Sequence, residues 1–160
     1  MRMRALVLDD DRKIRGLLWH ALDSRGCEVI TFPDPDSCPL HLAPTCPCPA
    51  TEACADLIIS DLQMPNANGL DFVEAQKAKG CRCQHIALMS GGWTDAERRR
   101  AGELGCKVFA KPFRLGDIYA WLDEVAESLD PSRKLFDWFQ PEALPSKRPA
   151  VRGESPPGVR

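Results

Sequence analysis

The chain has 160 residues, a formal net charge of −2 and a sequence pI of about 5.9. This length fits one ordinary domain with a single core, and the weakly acidic charge balance argues against a nucleic-acid-binding surface. The first apolar run, residues 5–8, stops at three aspartates. We therefore predict no targeting or membrane segment and expect a cytoplasmic protein, in which the eight cysteines do not form a disulfide framework.

The first part of the chain predicts a strand, a helix and a second strand. Residues 4–8 are a short apolar run, residues 12–25 carry apolar side chains at helical spacing up to Gly26, and residues 27–32 are rich in β-branched side chains. Residues 33–55 then hold six prolines and four cysteines where a second helix is expected. Because proline interrupts helical hydrogen bonding, we predict no regular helix in this segment.

The remaining elements continue the alternation. We predict strands at residues 56–60, 85–90 and 107–110, and helices at about 68–79, from Thr94 to near Gly105, and across 115–129. Thr94 and Glu97 have the spacing of a capping box, which marks the start of the third predicted helix. From residue 130 onward there are six prolines and little periodicity, so we predict a mobile tail over residues 130–160. The alternation predicts an α/β fold with a parallel sheet and helices on both faces.

Several polar side chains follow the C-terminal ends of the predicted strands, where ligands bind in parallel α/β sheets. They are Asp9, Asp10, Asp61, Ser90 and Lys111. Neighbouring carboxylates repel one another, which raises the pKa of at least one of them or requires a cation, and Mg²⁺ is a hard ion that carboxylates hold. An aspartate can act as a nucleophile and form an acyl phosphate, with Lys111 and Ser90 placed to contact the phosphoryl group.

Four motifs occur in order along the chain: VLDDD at the first strand, ISDLQMPNANG at the third, MSGG at the fourth and FAKPF at the fifth. Over about residues 3–129 the chain resembles the response regulator receiver domains of two-component signalling. The resemblance implies a flavodoxin-like, doubly wound, five-stranded parallel sheet of order 2-1-3-4-5. Residues 1–129 would form the receiver domain, with the proline- and cysteine-rich segment 33–55 in place of the second helix.

The resemblance also implies the roles of individual residues. Asp61 would be the phosphoacceptor, Ser90 and Lys111 would contact the phosphoryl group, and Lys111–Pro112 would be a cis peptide bond. Mg²⁺ would be held by Asp9, Asp10, Asp61 and the backbone carbonyl of Gln63. Gln63 and Gly92 occupy positions that resemble those tuning dephosphorylation.

The function implied is that of a stand-alone phosphoacceptor switch, because no DNA-binding or catalytic module follows the domain. It would accept its phosphoryl group from a histidine kinase or a phosphotransfer protein, and it would catalyse at most its own phosphorylation and dephosphorylation. Output would occur by contact with a protein target. The candidate surfaces are the loop from Ser90 to Trp93 and an apolar cluster in the tail, residues 135–139, which could instead fold back on the domain.

One departure from the receiver pattern concerns the aromatic switch residue. Receiver domains usually carry Tyr or Phe three residues before the lysine, where this chain has Val108. Phe109 follows directly, but a one-residue offset along a strand directs a side chain to the opposite face. We therefore expect Phe109 not to replace the missing aromatic residue.

The second departure is the set of cysteines in and near the segment 33–55. Cys38, Cys46, Cys48 and Cys54 have the pattern C-x7-C-x-C-x5-C, and Cys81 and Cys83 add a second C-x-C. Because Cys54 precedes the third strand and Cys81 and Cys83 precede the fourth, we expect these three at the N-terminal edge of the sheet, opposite Asp61. A structural metal such as Zn²⁺, unligated thiols and disulfides all remain open, with His41 and His85 as possible substitute ligands. Cys27 and Cys106, at strand starts, are expected to be small buried side chains.

Two other functions remain open from the sequence. The D-x-D pattern in Asp9–Asp11 occurs in Mg²⁺-dependent phosphatases of the haloacid dehalogenase type, although Asp61 and Met64–Pro65 have no role in that reading. Alternatively, the chain could be a metal- or redox-sensing adaptor in which the receiver site is vestigial. The first alternative predicts turnover of a phosphate ester without Asp61, and the second predicts signalling that depends on Cys46.

Overall fold

Five parallel strands form the central sheet of the computed structural model, which describes residues 2–138. They are β1 Arg4–Leu8, β2 Glu28–Phe32, β3 Leu57–Asp61, β4 His85–Ser90 and β5 Lys107–Ala110. Their spatial order is β2-β1-β3-β4-β5, and every neighbouring pair is parallel. The predicted flavodoxin-like fold and its strand order are confirmed.

The helices follow the strands in alternation. They are α1 Arg12–Ser24, α2 Pro39–Leu42, α3 Gly69–Ala78, α4 Asp95–Glu103 and α5 Leu115–Ser128. The side chain of Asp11 caps α1 by accepting hydrogen bonds from two backbone N–H groups of its first turn. Thr94 and Glu97 form the predicted capping box at the start of α4. Within the described part of the chain, no helix is long and apolar enough to span a bilayer.

The sheet has an apolar core on each face, because successive side chains of a buried strand point to opposite sides. On one side, Ala5, Val7 and Ile59 belong to the cluster that includes the apolar stripe of α5. On the other side, Leu6, Leu8 and Ile58 belong to the cluster that includes α3 and the segment 33–55. The central strands β1 and β3 are therefore buried throughout, whereas β5 at the edge of the sheet is partly exposed.

The segment 33–55 contains little regular structure. A 3-10 turn at Pro35–Ser37 leads into α2, which starts with a proline at its first position, where no intrahelical N–H is needed. The prediction of no regular helix is thus wrong only for the single turn Pro39–Leu42. Cys38 and Leu40 are fully buried and close the core on this side in place of a long helix.

Residues 130–138, which the sequence assigned to a mobile tail, pack against the domain. The short strand Lys134–Leu135 pairs in parallel with Glu52–Ala53, at the N-terminal ends of the sheet strands. Arg133 makes a two-pronged ion pair with the buried carboxylate of Asp56, at 2.5 and 2.7 Å. The receiver fold in this chain therefore includes nine residues beyond the predicted boundary at 129, because these contacts hold them. Residues 139–160, the rest of the predicted tail, lie outside the described residues.

Trp138 belongs to this packed segment. Its side chain is fully buried, its ring lies 6.2 Å from that of Phe32, and its Nε1 donates a 2.9 Å hydrogen bond to the carbonyl of Cys54. Leu135 and Phe136 are half-buried beside it. Of the two arrangements considered for the apolar cluster 135–139, these three residues fold back on the domain, and Phe139 lies outside the described residues. Trp138 is consequently not an accessible docking residue.

Candidate functional site: an acidic pocket at the C-terminal ends of the strands

Asp61 is the last residue of β3, and its side chain is almost fully buried. Strand pairing continues one residue further, since the N–H of Leu62 donates to the carbonyl of Met89 at 2.7 Å. The chain then turns back at once, because Gly69 donates to the carbonyl of Leu62 at 2.8 Å. A Cβ on Gly69 would lie 2.4 Å from the carbonyl oxygen of Asp61, so this close return requires glycine. The acidic side chain is therefore held at the strand end by a tightly closed loop.

Three carboxylates converge at this edge. Oxygen atoms of Asp9, Asp10 and Asp61 all lie within 4.8 Å of one another, with Asp9 and Asp61 buried and Asp10 exposed. Asp9 is further fixed by the N–H of Asp11, which donates to its Oδ1 at 2.9 Å. The adjacency of β1 and β3 thus brings together the acids that the sequence places more than fifty residues apart.

Lys111 bridges two of the acids. Its Nζ lies 3.0 Å from Asp9 Oδ2 and 3.3 Å from Asp61 Oδ1. The lysine follows β5 directly and precedes Pro112 through a cis peptide bond, as the family resemblance implied. Its backbone N–H donates to the carbonyl of Ser90 at 2.8 Å, which ties the end of β5 to the end of β4.

Burial and mutual repulsion dominate the electrostatics of the acids. Burial, followed by the charge of Asp9, raises the pKa of the Asp61 carboxyl to about 6, although Lys111 opposes this change. Burial also raises the pKa of Asp9, against the hydrogen bonds that it accepts from Lys111 and from the N–H of Asp11. Burial alone would lower the pKa of Lys111, but its hydrogen bond to Asp9 and the two acidic charges raise it above the usual value. The pocket therefore contains one protonated lysine, Lys111, and three carboxyl groups, which outnumber it.

This donor set suits a hard divalent cation. Three carboxylates with oxygens close enough to share one ion, one of them facing solvent, match the oxygen ligands and retained waters that Mg²⁺ prefers. Gln63 follows Asp61 by two residues, is exposed, and donates its backbone N–H to Asp61 Oδ1 at 3.4 Å. The metal-ligand set predicted from the sequence thus converges on a single pocket, with Gln63 at its rim.

Ser90 ends the neighbouring strand and is buried. Its Oγ accepts a 3.0 Å hydrogen bond from the N–H of Gly92 and so holds the loop that follows β4. In the same loop, Trp93 is half-buried, and its Nε1 donates to the carbonyl of Phe109 at 2.9 Å. The indole is therefore attached to β5 rather than free at the surface.

Val108 and Phe109, neighbours on β5, point to opposite faces of the sheet, as the alternation of side chains along a strand predicts. Phe109 is buried and belongs to the α5-side core cluster, where its ring lies 5.9 Å from that of Trp121. Val108 and Trp93 both pack against the opposite cluster, which includes α3. The prediction that Phe109 points away from the usual switch position is confirmed, and Trp93 is an aromatic side chain on the same side as Val108.

Cys54, just before β3, and Cys81, before β4, meet at the other end of the sheet, with their Sγ atoms 3.8 Å apart. The neighbouring thiol of Cys54 lowers the pKa of Cys48. The Cys54 hydrogen bond lowers the pKa of Cys81, and the bonds to Cys48 and Cys81 raise that of Cys54. All eight cysteines are free thiols.

The other predicted ligands at this end have different partners. Cys83 is buried and donates to the carbonyl of His85 at 3.7 Å, and Cys38 is buried in the core. The ring of His85 is hydrogen-bonded to Ser128 at 2.9 Å, and that of His41 packs 5.8 Å from Phe72. Cys27 is buried as expected, while Cys106 is only half-buried.

Two residues that shape the acidic pocket were not assigned a role from the sequence. Arg15, on α1, donates from its guanidinium to the carbonyl of Asp9 at 2.8 Å and so fixes the acidic turn. Gly69 is the second, through the close approach described above. Its place at the end of the motif ISDLQMPNANG was the available signal, whereas a lone arginine one turn into a helix carries none.

Comparison with known proteins agrees with this geometry. Residues 5–123 match the profile of the family described as the response regulator receiver domain. The chain is 24% identical to the phosphate regulon transcriptional regulatory protein PhoB of Klebsiella pneumoniae, over 98% of this chain and 66% of that protein. It is 33% identical to the DNA-binding transcriptional regulator NtrC of Azospirillum brasilense, over 81% of this chain and 25% of that protein. The chain therefore spans two thirds or less of the length of these curated relatives.

Solved structures give the same result. The chemotaxis protein CheY4 of Vibrio cholerae superposes with a TM-score of 0.64 at 27% identity, covering 78% of this chain and 99% of that one. A response regulator receiver protein from Pseudomonas putida superposes with a TM-score of 0.65 at 26% identity, covering 78% and 98%. The haloacid dehalogenase alternative finds no support in these matches. The profile, the fold and the acidic pocket together establish that this chain belongs to the response regulator receiver family.

Proposed function

We propose that the chain is a phosphoacceptor switch whose acceptor is Asp61 and whose phosphoryl donor is a histidine kinase or a phosphotransfer protein. The observation that carries this proposal is the position of Lys111 Nζ, which contacts both Asp9 and Asp61 within 3.3 Å at the mouth of the acidic pocket. An ammonium group in that position neutralises charge on a phosphoryl group bound to Asp61. Phosphoryl transfer depends mainly on such positioning and charge neutralisation.

The transfer step uses the ionised side chain of Asp61. A carboxylate oxygen attacks the phosphorus of the phosphohistidine, a new O–P bond forms, and the N–P bond breaks. The electron pair of that bond returns to the imidazole, which takes a proton from solvent. Hydrolysis later reverses the modification, since water attacks the phosphorus and releases phosphate from the regenerated carboxylate.

We propose Mg²⁺ as the cation of this pocket, held by Asp9, Asp10, Asp61 and the backbone carbonyl of Gln63. When bound, Mg²⁺ supplies positive charge that offsets the acids and the phosphoryl oxygens. Lys111 can then form an ion pair either with the carboxylate of Asp9 or with the incoming phosphoryl group. The receiver domain thereby catalyses at most its own phosphorylation, in which the phosphoryl donor is consumed, and its own dephosphorylation, in which water is consumed.

The loop from Ser90 to Trp93 is the proposed output surface. The Oγ of Ser90 accepts a hydrogen bond from the N–H of Gly92, and its own O–H can donate to a phosphoryl oxygen on Asp61, which would link the phosphoryl group to this loop. Gly91 and Gly92 are exposed, and a Cβ at either position would meet no atom within 4 Å. Motion of the loop would carry Trp93, which is anchored to β5 by one hydrogen bond. A protein target that reads this face would distinguish the two states.

Intact mass spectrometry after incubation with acetyl phosphate and Mg²⁺ tests the proposal. We expect the wild-type chain to gain the mass of one phosphoryl group and Asp61→Asn to gain none. Asp123→Asn is the matched control, because Asp123 is an exposed acid on α5 that pairs with Arg25 far from the pocket. Phosphorylation that persists in Asp61→Asn, or a wild-type chain that is never modified, would reject Asp61 as the acceptor.

A further inference from the structure

A second group of reactive side chains lies at the opposite end of the sheet and has no part in phosphoryl transfer. We define the thiol cluster as Cys46, Cys48, Cys54 and Cys81. Cys54 precedes β3, Cys81 precedes β4, and the other two lie in the irregular part of the segment 33–55. The thiols of Cys54 and Cys81 are in hydrogen-bond contact, and the pKa values of Cys46, Cys48 and Cys54 are each shifted by neighbouring thiols of this group, so the four side chains lie close together. Four cysteines therefore meet in space although they span 36 positions of sequence.

The separation of the two best-anchored thiols fits metal ligation. The Sγ atoms of Cys54 and Cys81 are 3.8 Å apart. Zinc–thiolate bonds of about 2.3 Å in a tetrahedral site place neighbouring sulfur atoms about 3.8 Å apart. A disulfide instead requires a sulfur–sulfur distance of about 2.05 Å, so covalent pairing would need the backbones to approach.

The backbones that carry these two cysteines are firmly held. The carbonyl of Cys54 accepts hydrogen bonds from Trp138 Nε1 at 2.9 Å and from the guanidinium of Arg4 at 3.3 Å. Cys81 follows α3, and its N–H donates to the carbonyl of Gln76 at 3.0 Å. Half of the proposed ligand set is therefore positioned by the sheet and by the segment 133–138.

The other half is on a loop without regular secondary structure. Between Ala43 and Thr51 the chain has no helix or strand and few apolar side chains. Cys46 is bound to the neighbouring loop by one backbone hydrogen bond, to the carbonyl of Lys79 at 3.2 Å. No three of these sulfur atoms all lie within 4.8 Å of one another, because among residues 2–138 the acidic triad is the one group of three or more candidate ligands that does so. A bound ion would draw the four thiolates together and stabilise the loop, as in other small metal-organised segments.

The surroundings also suit a cluster of thiolates. The guanidinium of Arg82 donates to the carbonyls of Cys48 at 2.8 Å and Glu52 at 2.9 Å, directly beside the thiols. Lys79 lies on the same side, with its Nζ 2.6 Å from the carbonyl of His41. These cations offset the negative charge that four thiolates keep after one divalent ion is bound.

We propose that Cys46, Cys48, Cys54 and Cys81 bind one thiophilic divalent ion, of which Zn²⁺ is the representative, and that this ion ties the segment 33–55 to the loop before β4. The site replaces the packing that a second helix provides. Cys38 and Cys83 are outside the ligand set, because Cys38 is buried in the core and the thiol of Cys83 is bound to the carbonyl of His85.

Metal content of the intact, reduced chain tests the proposal. The chain is purified with Zn²⁺ and a reductant that does not chelate, passed through a desalting column, and analysed by native mass spectrometry. We expect one zinc ion per chain for the wild type and none for the double variant C54S/C81S. Cys106→Ser is the matched control, because Cys106 is a half-buried cysteine at the start of β5, and we expect it to retain the ion.

Acetyl phosphate labelling of the same variants shows whether they fold. C54S/C81S that is still phosphorylated on Asp61 but carries no zinc supports the proposal. If that variant is not phosphorylated, the absorption spectrum of the wild type after addition of Co²⁺ tests the site instead. A tetrahedral thiolate site gives intense visible and thiolate-to-metal absorption bands. Retention of zinc by C54S/C81S, its absence from the wild type, or a wild-type mass lower by two hydrogens that marks a disulfide would each overturn the assignment.

Discussion

Lys111 and Asp9 form a 3.0 Å ion pair in which the carboxylate is almost completely buried and the ammonium is only partly exposed. Asp61, the proposed phosphoacceptor, lies 3.3 Å from the same ammonium. One cation therefore serves two buried acids that would otherwise repel each other. The pair stabilises the unmodified protein and is also available to a phosphoryl group, so its removal affects stability and phosphorylation together.

We expect Lys111→Met to lower the free energy of unfolding by about 1–3 kcal/mol, because buried acids lose a charged hydrogen-bond donor. We also expect it to slow phosphorylation by roughly 100-fold, the usual effect of removing one donor to developing charge. Urea unfolding in the presence of a metal chelator measures the change in stability. The rate at which acetyl phosphate adds one phosphoryl group, followed by mass spectrometry, measures the change in phosphorylation. Lys13→Met, on the exposed face of α1, is the control and should change neither quantity. Equal behaviour of the two variants would contradict the role given to Lys111.

Mg²⁺ should stabilise the protein by binding the folded pocket. At a free concentration ten times the dissociation constant, the gain in unfolding free energy is about 1.4 kcal/mol. We expect this gain to disappear in Asp10→Asn, which removes an exposed ligand without disturbing the buried pair, and to disappear in the wild type when EDTA is added. Asp11→Asn is the control, because asparagine keeps the cap of α1. A gain in Asp10→Asn as large as in the wild type would exclude that ligand.

Gly69→Ala should destabilise the domain by at least about 2 kcal/mol and weaken Mg²⁺ binding, because overpacking forces the surrounding backbone to move. The added Cβ would lie 2.4 Å from the carbonyl oxygen of Asp61 and 3.1 Å from the Cα of Leu62. Gly116→Ala, inside α5 with open space around it, is the matched control and should stabilise by about 0.5–1 kcal/mol. Thermal unfolding and calorimetric titration provide the measurements. If Gly69→Ala unfolds with the same free energy as the wild type, the loop between Asp61 and Gly69 can move to accommodate the added Cβ, which contradicts this prediction.

Trp138→Ala should lower the free energy of unfolding by about 3–5 kcal/mol, the usual cost of emptying a large buried aromatic site. Trp138→Phe should cost less, because it keeps most of the apolar contact and loses only the hydrogen bond to the carbonyl of Cys54. Denaturant unfolding of both variants tests whether residues 130–138 belong to the folded domain. If Trp138→Ala is as stable as the wild type, the segment does not contribute to the fold in solution.

Phosphorylation should change the emission of Trp93 through the Ser90 hydroxyl. We expect a change in tryptophan fluorescence on adding acetyl phosphate, and we expect Trp93→Phe to abolish it while Asp61 is still labelled. Ser90→Ala should remove most of the change, because the link between the phosphoryl group and the N–H of Gly92 is lost. Trp19→Phe, on α1, is the control and should retain it. A signal that survives in Trp93→Phe would place the responding residue elsewhere.

The sequence predicts the regular half of this protein well, because that half depends on local patterns. The sheet strands are short and largely apolar runs, and the structure keeps their predicted bounds within a residue or two. The acidic pocket follows from the strand ends once parallel order is assumed. The structural reason for glycine at position 69 is harder to predict, since it depends on the distance between the end of β3 and the start of α3.

The segment 33–55 and residues 130–138 were beyond prediction for a related reason. Each is irregular alone, and each is ordered by contacts with distant parts of the chain. Trp138 is fixed by Cys54, which lies 84 positions earlier. Leu40 and Cys38 are buried by the side chains of other elements rather than by a helical stripe of their own. High proline content and weak periodicity therefore indicated the lack of local structure correctly and gave no information on long-range packing.

Strand β3 joins the two chemically distinct ends of the molecule. From Cys54 to Asp61 an extended chain covers roughly 23 Å, at about 3.3 Å per residue. Charges in physiological salt are screened over about 8 Å, so an ion at the thiols and a phosphoryl group at Asp61 exert almost no direct force on each other. Metal binding at the thiol cluster and phosphorylation of Asp61 are thus electrostatically independent of each other. The protein can exist in four states, with or without the ion and with or without the phosphoryl group. Any coupling between the two ends must therefore be mechanical, through β3 from Cys54 to Asp61 or through β4 from Cys81 to Ser90.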